Sequence, residues 1–294
     1  MTEILCQPNA KALPSQSSML YRGIMDEKLI IGMLTALSIL PVGAYTLRAD
    51  AVNNRLYWLL LLSSALVFSG FTLYRLQLGW QRGLADSLFV CVAVTLVLYT
   101  LANHWFRESW RLAVLLSPYL FIICLLALLA YESEIQISGN DSIAVTPDGW
   151  TVIHIVSAVT AYATITLAAV AAVSVLAQER LLKAKKNSNW GRRLPPVADS
   201  ESIELISLFV SEAVLAVGIV SGMALQLSSS GSLLEVDHKT LLTVLAFLLV
   251  GLLLVARMRM GIRGRSAARY VLISYLLITL GYPGVKWVSN ILIG

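Results

Sequence analysis

The amino-acid sequence predicts an all-α integral membrane protein built as a bundle of about eight transmembrane helices. Of its 294 residues, 57% are hydrophobic and only 13% are charged, and the mean hydropathy is +0.76. Ordinary soluble domains are far more polar. Apolar stretches long enough to cross a hydrocarbon core of about 30 Å recur along the chain, without the alternating pattern of a membrane β-barrel.

Hydropathy divides the chain into a polar N-terminal extension, residues 1–28, and a single transmembrane domain, residues 29–294. The predicted spans are Leu29 to Leu47, Tyr57 to Tyr74, Leu84 to Ala102, Leu112 to Tyr131, Trp150 to Leu176, Ile203 to Leu227, Leu241 to Ala256 and Tyr270 to Leu292. The seventh span is short. It crosses a bilayer only if it takes in the polar residues before it or if the bilayer thins locally.

Two helix boundaries are also predicted. The fifth helix continues past its span, because helix-forming residues run on from Leu176 to Lys186. Pro195-Pro196 then breaks the chain, and Ser-Glu-Ser at 200–202 offers N-cap residues for the sixth helix.

The distribution of charge predicts the orientation. Lysine and arginine collect in the loops after the fifth and seventh spans, whereas the loop after the fourth span is acidic and has no basic residue. Cytoplasmic loops carry the excess of basic residues. We therefore expect a multi-pass protein of a bacterial inner membrane with both termini on the periplasmic side. The formal net charge of +5 then reflects topology rather than nucleic-acid binding.

The chain has three histidines, and the predicted topology separates one from the other two. His154 and His238 fall at similar depth near the outer face. His104 falls on the cytoplasmic side, about one bilayer thickness away. His154 and His238 are therefore the pair that could share a ligand.

Trp150, His154 and Tyr162 project from roughly one face of the fifth helix. One interpretation is an imidazole ligand beside an aromatic wall, which suits a flat macrocycle. The other is an interfacial tryptophan of the usual aromatic belt, with a histidine that only hydrogen-bonds a neighbouring helix. Ionisable residues inside membranes are functional by default, but the residues alone leave both interpretations open.

Asp237, His238 and Lys239 bring an anion, an imidazole and a cation to the start of the seventh helix. Asp237 alone is explained as a helix cap, whereas His238 and Lys239 favour a binding site. If His154 and His238 bind one metal, it is haem iron or a divalent ion. Zinc would need more Cys, Asp or Glu ligands than the outer face offers. Two imidazoles with Lys239 near the propionates match haem better.

Two further charged residues lie inside or at the edge of predicted spans. Lys286, near the end of the last span, either pairs with a propionate or extends its amine to the aqueous interface. Glu212 falls near the middle of the sixth span, where a charge is expensive. We expect Glu212 to be protonated or paired inside the bundle.

Several short motifs follow one another along the second half of the chain. They are Trp150-Thr-Val-Ile-His154, Ala161-Tyr162, residues 178–183 with Leu194-Pro195, Val220-Ser221-Gly222, and residues 237–240, 261–264 and 281–286. Together they resemble the CcsA-type cytochrome c assembly family, and most closely its YpjD/HemX-like branch. The resemblance covers roughly residues 150–293 and, more loosely, the four earlier spans. It implies a haem-handling membrane protein with a periplasmic-side haem site flanked by histidines.

The haem-delivering members of that family carry a tryptophan-rich loop, whereas residues 233–240 of this chain contain no tryptophan. Those members also have a further histidine beyond the final helix, and the resemblance implies that His238 takes over that ligand role. We therefore expect haem binding, in haem handling or in support of cytochrome c biogenesis, rather than a stand-alone enzyme. His154 and His238 would be the axial ligands. The other expected site residues are Trp150, Asp237, Lys239 and Lys286.

Two other functions stay open at this point. The protein could be a non-haem membrane adaptor or regulator that acts through its basic cytoplasmic loops. It could also be a proton-coupled transporter that uses Glu212 and Asp237 as a relay. The expected partners are the lipid bilayer, haem and other membrane or cytochrome-assembly proteins.

Overall fold

A computed structural model describes residues 29–48, 51–77, 84–137, 149–184, 191, 193–230 and 238–280, with side chains for all of these except 131–137, 229–230 and 238–239. Every regular element in this part of the chain is helical. Seven of its helices are long and apolar enough to cross a membrane. The predicted all-α membrane bundle is therefore confirmed.

The described residues form eight α-helices in chain order, with a short 3-10 helix before the fourth. They are α1 (Leu29–Thr46), α2 (Arg55–Gln77), α3 (Leu84–Trp105), the 3-10 helix (Ser109–Leu112), α4 (Ala113–Ile137), α5 (Gly149–Lys183), α6 (Val197–Ser230), α7 (His238–Met260) and α8 (Arg265–Thr279). Helices α1 to α7 overlap the first seven predicted spans in order, with some different ends. Helix α8 covers the first part of the eighth, and the rest of that span lies outside the described residues, as does the extension 1–28.

Two predicted helix extensions are confirmed. Helix α7 begins at His238 and has 23 residues, so it takes in the polar residues that precede the short predicted span. Helix α5 has 35 residues and runs to Lys183, well past the predicted end of its span. At a rise of about 1.5 Å per residue, α7 is about 35 Å long and can cross a bilayer core.

The predicted cap of the sixth helix is wrong, because α6 begins earlier, at Val197. Proline disfavours helical backbone in the residue before it, so the chain becomes free to turn helical directly after Pro195-Pro196. Ser200 and Glu201 make contacts with other helices instead. The Ser200 hydroxyl donates to Ser174 Oγ of α5 at 3.1 Å, and Glu201 Oε1 accepts from the backbone N–H of Gly264 at 2.6 Å.

The first half of the bundle is joined by polar contacts at breaks in its helices. Helix α1 loses regular hydrogen bonding at Ser38 and Ile39, just before Pro41, which has no N–H to donate. Ser117 of α4 donates its hydroxyl to the Ile39 carbonyl oxygen at 2.9 Å. A Cβ atom on Gly43 would lie 2.6 Å from Ser117 Oγ, so glycine permits this close crossing of α1 and α4.

A buried polar network connects α2, α3 and the 3-10 helix. The Tyr57 and Tyr99 hydroxyl groups lie 3.2 Å apart. Asn103 Oδ1 accepts from Tyr57 at 3.3 Å and from Ser109 Oγ at 3.0 Å. These groups satisfy one another in an apolar interior, where an unpaired polar group is costly.

Helix α5 is central to the second half and contacts α3, α6 and α8. Helix α6 runs antiparallel to α5: Ser200 meets Ser174, Ser211 donates to the Ala161 carbonyl oxygen at 3.3 Å, and Gly218 meets His154. We call the end where α5 begins, α6 ends and α7 begins the histidine end. The opposite end, where α5 and α7 end and α6 and α8 begin, is the basic end.

At the basic end, three carboxylates bind groups on neighbouring helices. Glu204 of α6 and Arg257 of α7 form an ion pair at 2.9 Å with both side chains almost fully buried. Glu179 and Glu201 accept backbone N–H groups of Arg265 and Gly264 at the start of α8. Negative charge there complements the helix dipole, so four helices are fixed against one another at this end.

Replacing Arg257 by Met should strongly destabilise the bundle. The change leaves the buried Glu204 carboxylate without its cation, and breaking a buried pair in this way costs about 3–5 kcal/mol. Thermal unfolding in detergent would measure the loss. Arg259→Met is the matched control, because Arg259 is exposed on the same helix turn. Equal melting temperatures for the two variants would contradict the structural role of the pair.

Candidate functional site

The side chain of His154 lies at the histidine end, in the second turn of α5. It is partly buried against α6. Its Nδ1 atom lies 2.9 Å from the carbonyl oxygen of Gly218. Ser221 Oγ lies 3.5 Å from the same nitrogen and donates its own hydrogen to the Gly218 carbonyl oxygen at 3.0 Å.

This contact determines the tautomer of the neutral ring. A carbonyl oxygen only accepts hydrogen bonds, so Nδ1 of His154 carries the hydrogen. The lone pair then lies on Nε2. A carbonyl that holds one ring nitrogen is the usual way to orient a metal-binding histidine. The geometry therefore suits ligation through Nε2, and it also serves the simpler role of joining two helices.

Small residues of α6 make room for the ring. A Cβ atom on Gly222 would lie 3.0 Å from Cε1 and 3.2 Å from Nδ1 of His154. One on Gly218 would lie 3.2 Å from Ser157 Oγ of α5. Glycine and serine at such positions allow helix backbones to approach closely in membranes. Gly222 therefore serves helix packing, and no signal in the sequence indicated that Gly218 and Ser221 hold His154.

The start of α5 presents apolar surface beside His154. Trp150 is 50% exposed, and Ile153 and Val156 are exposed as well. Trp150 therefore projects from the bundle and is free to contact lipid or a flat ligand. Its role as an aromatic wall stays a prediction.

Tyr162 does not share the face of His154, and that prediction is wrong. Tyr162 is buried, and its hydroxyl lies 3.4 Å from that of Tyr275 on α8, which in turn lies 2.6 Å from the hydroxyl of Tyr119. Eight residues of α-helix turn a side chain by roughly 80° from its starting direction. This rotation is enough to point Tyr162 at α8 while His154 faces α6.

The second predicted ligand begins α7. The backbone of His238 and Lys239 forms the first turn of that helix, but their side chains lie outside the described residues. Asp237 and Lys286 also lie outside them. The juxtaposition of His154 and His238, and the proximity of Asp237, Lys239 and Lys286, therefore stay predictions. Within the described part, no group of three or more His, Cys, Asp or Glu side chains could hold a metal ion.

His104 lies away from this site. It is exposed in the last turn of α3. The 3-10 helix that follows it contacts α5 and α6, and its Trp110 shares a hydrophobic cluster with Ala171 and Ile203, toward the basic end. The structure thus separates His104 from His154, as the predicted topology did.

These features define a multi-pass α-helical membrane protein with a histidine anchored between two helices. Residues 56–293 match the family described as cytochrome C assembly protein. The chain belongs to that family, which supports a role in haem handling and cytochrome c biogenesis. The resemblance noted from the sequence is confirmed at the family level, while the YpjD/HemX-like branch stays a prediction.

One similar protein comes from Azospirillum brasilense and is described as an uncharacterized 28.8 kDa protein in nifR3-like 5'region. It is 37% identical over 275 residues, which cover 92% of this chain and 100% of that protein. No solved structure matches the chain significantly. The likeness therefore extends over the whole length of the relative.

Substituting Gly222 by Ala should disturb the His154 contact. The added methyl group would overlap the imidazole, and overpacking costs typically about 1–3 kcal/mol. Thermal unfolding would measure the loss. Nitrogen NMR of labelled histidine in bilayers would show whether the Nδ1–H tautomer persists. Gly70→Ala is the control, since nothing lies within 4 Å of a Cβ there. An unchanged His154 signal in Gly222→Ala would contradict the described packing.

Proposed function

We propose that this protein binds haem at the histidine end and acts in haem handling for cytochrome c biogenesis. His154, through Nε2, and His238, from the first turn of α7, would hold the haem iron. The site lies toward the periplasmic face of a bacterial inner membrane. The assignment to the YpjD/HemX-like branch is part of this proposal.

The observation that carries the proposal is the bond from His154 Nδ1 to the Gly218 carbonyl oxygen. It orients the ring and leaves Nε2 as the basic nitrogen, which is the state a haem ligand needs. Because the chain belongs to the cytochrome c assembly family, haem is the ligand that we propose. A metal ion bound through several carboxylates or thiolates finds less support in the outer-face residues of the sequence.

The remaining residues have supporting roles in this proposal. The exposed Trp150 side chain, one turn before His154, offers an aromatic surface to the macrocycle. Lys239 and Lys286 would pair with the propionates, and Asp237 would cap α7 and orient its first turn. Bound haem would supply a redox-active iron, and the protein would supply the two imidazoles, their orientation and an apolar surround.

Absorption spectra of the purified protein test the haem site. Protein made under haem-replete conditions should show a Soret band and sharpened bands on reduction. His154→Ala and His238→Ala should each lower haem affinity by more than about tenfold, since loss of a mere supporting contact already costs 10–100-fold in metal affinity. Added imidazole should restore part of the Soret band in His154→Ala.

His104→Ala is the matched control, because His104 is exposed and far from His154. It should bind haem as the wild-type protein does. The proposal would be contradicted if wild-type protein showed no Soret band. It would also be contradicted if His154→Ala and His238→Ala kept the haem content of the wild-type protein. Rescue by imidazole distinguishes a ligand from a residue that only supports the fold.

The basic end favours a second candidate function, docking of a partner protein. Arg259, Arg263, Arg265 and Arg269 are exposed around the α7–α8 turn. That turn is held by Glu201 through the Gly264 N–H. The arginines are therefore displayed on a fixed surface, as an adaptor requires.

Charge-reversal substitutions at the basic end distinguish partner docking from the haem-site function. For an adaptor, Arg263→Glu combined with Arg269→Glu should lower cellular levels of c-type cytochrome, while the His154→Ala and His238→Ala variants keep them. If the haem site carries the function, His154→Ala and His238→Ala should lower the level of c-type cytochrome, whereas the double arginine variant should keep it. Arg107→Glu is the control, because Arg107 is exposed but precedes the 3-10 helix rather than lying on the α7–α8 turn.

A further inference from the structure

Glu212 is an acidic residue near the middle of α6 that the proposed haem site does not use. It faces α7, where a Cβ atom on Gly251 would lie 2.8 Å from Glu212 Oε1. The side chain is partly exposed at the surface of the bundle, while its Oε2 atom is buried. Gly251 thus leaves the space that the carboxyl group fills.

The position of this contact lies deep in the hydrocarbon region. From Gly251 to the end of α7 at Met260 the helix rises about 14 Å, and from its start at His238 to Gly251 about 20 Å. A bilayer core is about 30 Å thick. Glu212 therefore lies more than two helical turns from either end of α7.

Three other acids in the described residues have cationic partners, and Glu212 does not. Asp86 pairs with Arg75, Glu108 with Arg111 and Glu204 with Arg257. Glu212 makes no ion pair or hydrogen bond to any side chain or backbone group that the structure describes. Glu204, on the same helix, provides a direct comparison: one acid is paired and nearly fully buried, the other is deep and unpaired.

The charged groups nearest to Glu212 along α6 lie at a distance. The Glu204–Arg257 pair is about 12 Å away toward the basic end, and His154, bonded to Gly218, is about 9 Å away toward the histidine end. Leu208, one turn before Glu212 on α6, lies in a hydrophobic cluster with Ile165, Val250 and Val271 of α5, α7 and α8. Nothing in the described surroundings offsets a negative charge.

We propose that Glu212 is a proton-binding site inside the bilayer, a carboxyl group held in its neutral acid form at the contact between α6 and α7 opposite Gly251. An ionised side chain at the centre of a membrane helix costs at least about 2.5–3.5 kcal/mol. Binding a proton removes this cost, because the neutral group can lie against the Gly251 backbone. Partial exposure makes the carboxyl group reachable from the hydrocarbon phase.

A lipophilic carbodiimide in proteoliposomes is the chemical probe for this site. The protonated carboxyl group transfers its proton to a carbodiimide nitrogen, and the carboxylate oxygen bonds to the central carbon. The acyl group then migrates from oxygen to nitrogen and leaves a stable N-acylurea, with no atom lost. Peptide mass spectrometry should find the adduct on Glu212 and not on Glu204, whose carboxylate is paired with Arg257.

Infrared spectra give a second measurement that requires no labelling. The wild-type protein in liposomes at neutral pH should show the carbonyl stretch of a protonated carboxyl group, and Glu212→Gln should lose that band. Gly251→Ala, which crowds the site, should reduce carbodiimide labelling severalfold. Gly70→Ala, with no neighbour near its Cβ position, should label normally.

Three outcomes would overturn the inference. They are no adduct on Glu212 with the lipophilic reagent, equal labelling by a water-soluble carbodiimide, and infrared spectra that do not differ between wild type and Glu212→Gln. A cation supplied by a residue outside the described part would produce the first and third results. Haem spectra of Glu212→Gln should match those of wild type, so this test and the haem test can fail independently.

Discussion

The hydrocarbon core offers no hydrogen-bond partner, so polar groups within the spans must find partners inside the protein, on their own helix or on another. Contacts of the second kind determine how the bundle is assembled. Ser117 donates to the Ile39 carbonyl oxygen, and Glu204 pairs with Arg257. Each contact joins one atom on one helix to one atom on the next. It therefore sets the relative height of two helices more sharply than apolar packing can, because lipid tails compete with side chains for the same contacts.

The α5–α6 pair shows how this constraint prepares a site. Three polar contacts along the pair, at Ser174, Ala161 and His154, follow one antiparallel register. The last of them fixes the imidazole at the histidine end. Because the register is already set by the other two, the Gly218 carbonyl oxygen is in place before any ligand arrives. The ring therefore does not lose further freedom of orientation on binding, which favours affinity.

The sequence predicted the spans well because their signal is local: about 20 apolar residues in a row report burial in lipid wherever they occur. It also selected His154, since an imidazole in an apolar helix is conspicuous. It could not identify Gly218 as the hydrogen-bond partner, because any backbone carbonyl can accept and only the register between α5 and α6 decides which one does. The error on Tyr162 has a related cause. Helical periodicity gives the angle between two side chains, but not which neighbouring helix each of them meets.

Helix α6 is the element on which the polar chemistry of the second half converges. Toward the basic end it carries Glu201 and Glu204, in its middle Glu212, and toward the histidine end Gly218 and Ser221. Glycines at 218 and 222 weaken an isolated helix by about 1 kcal/mol each, yet they are what permits close contact with α5. The ion pair and the α8 start hold one end of α6 firmly, and the His154 bond holds the other. A long helix fixed at both ends can accommodate an unpaired acid between them, because the neighbouring contacts keep α7 in place opposite it.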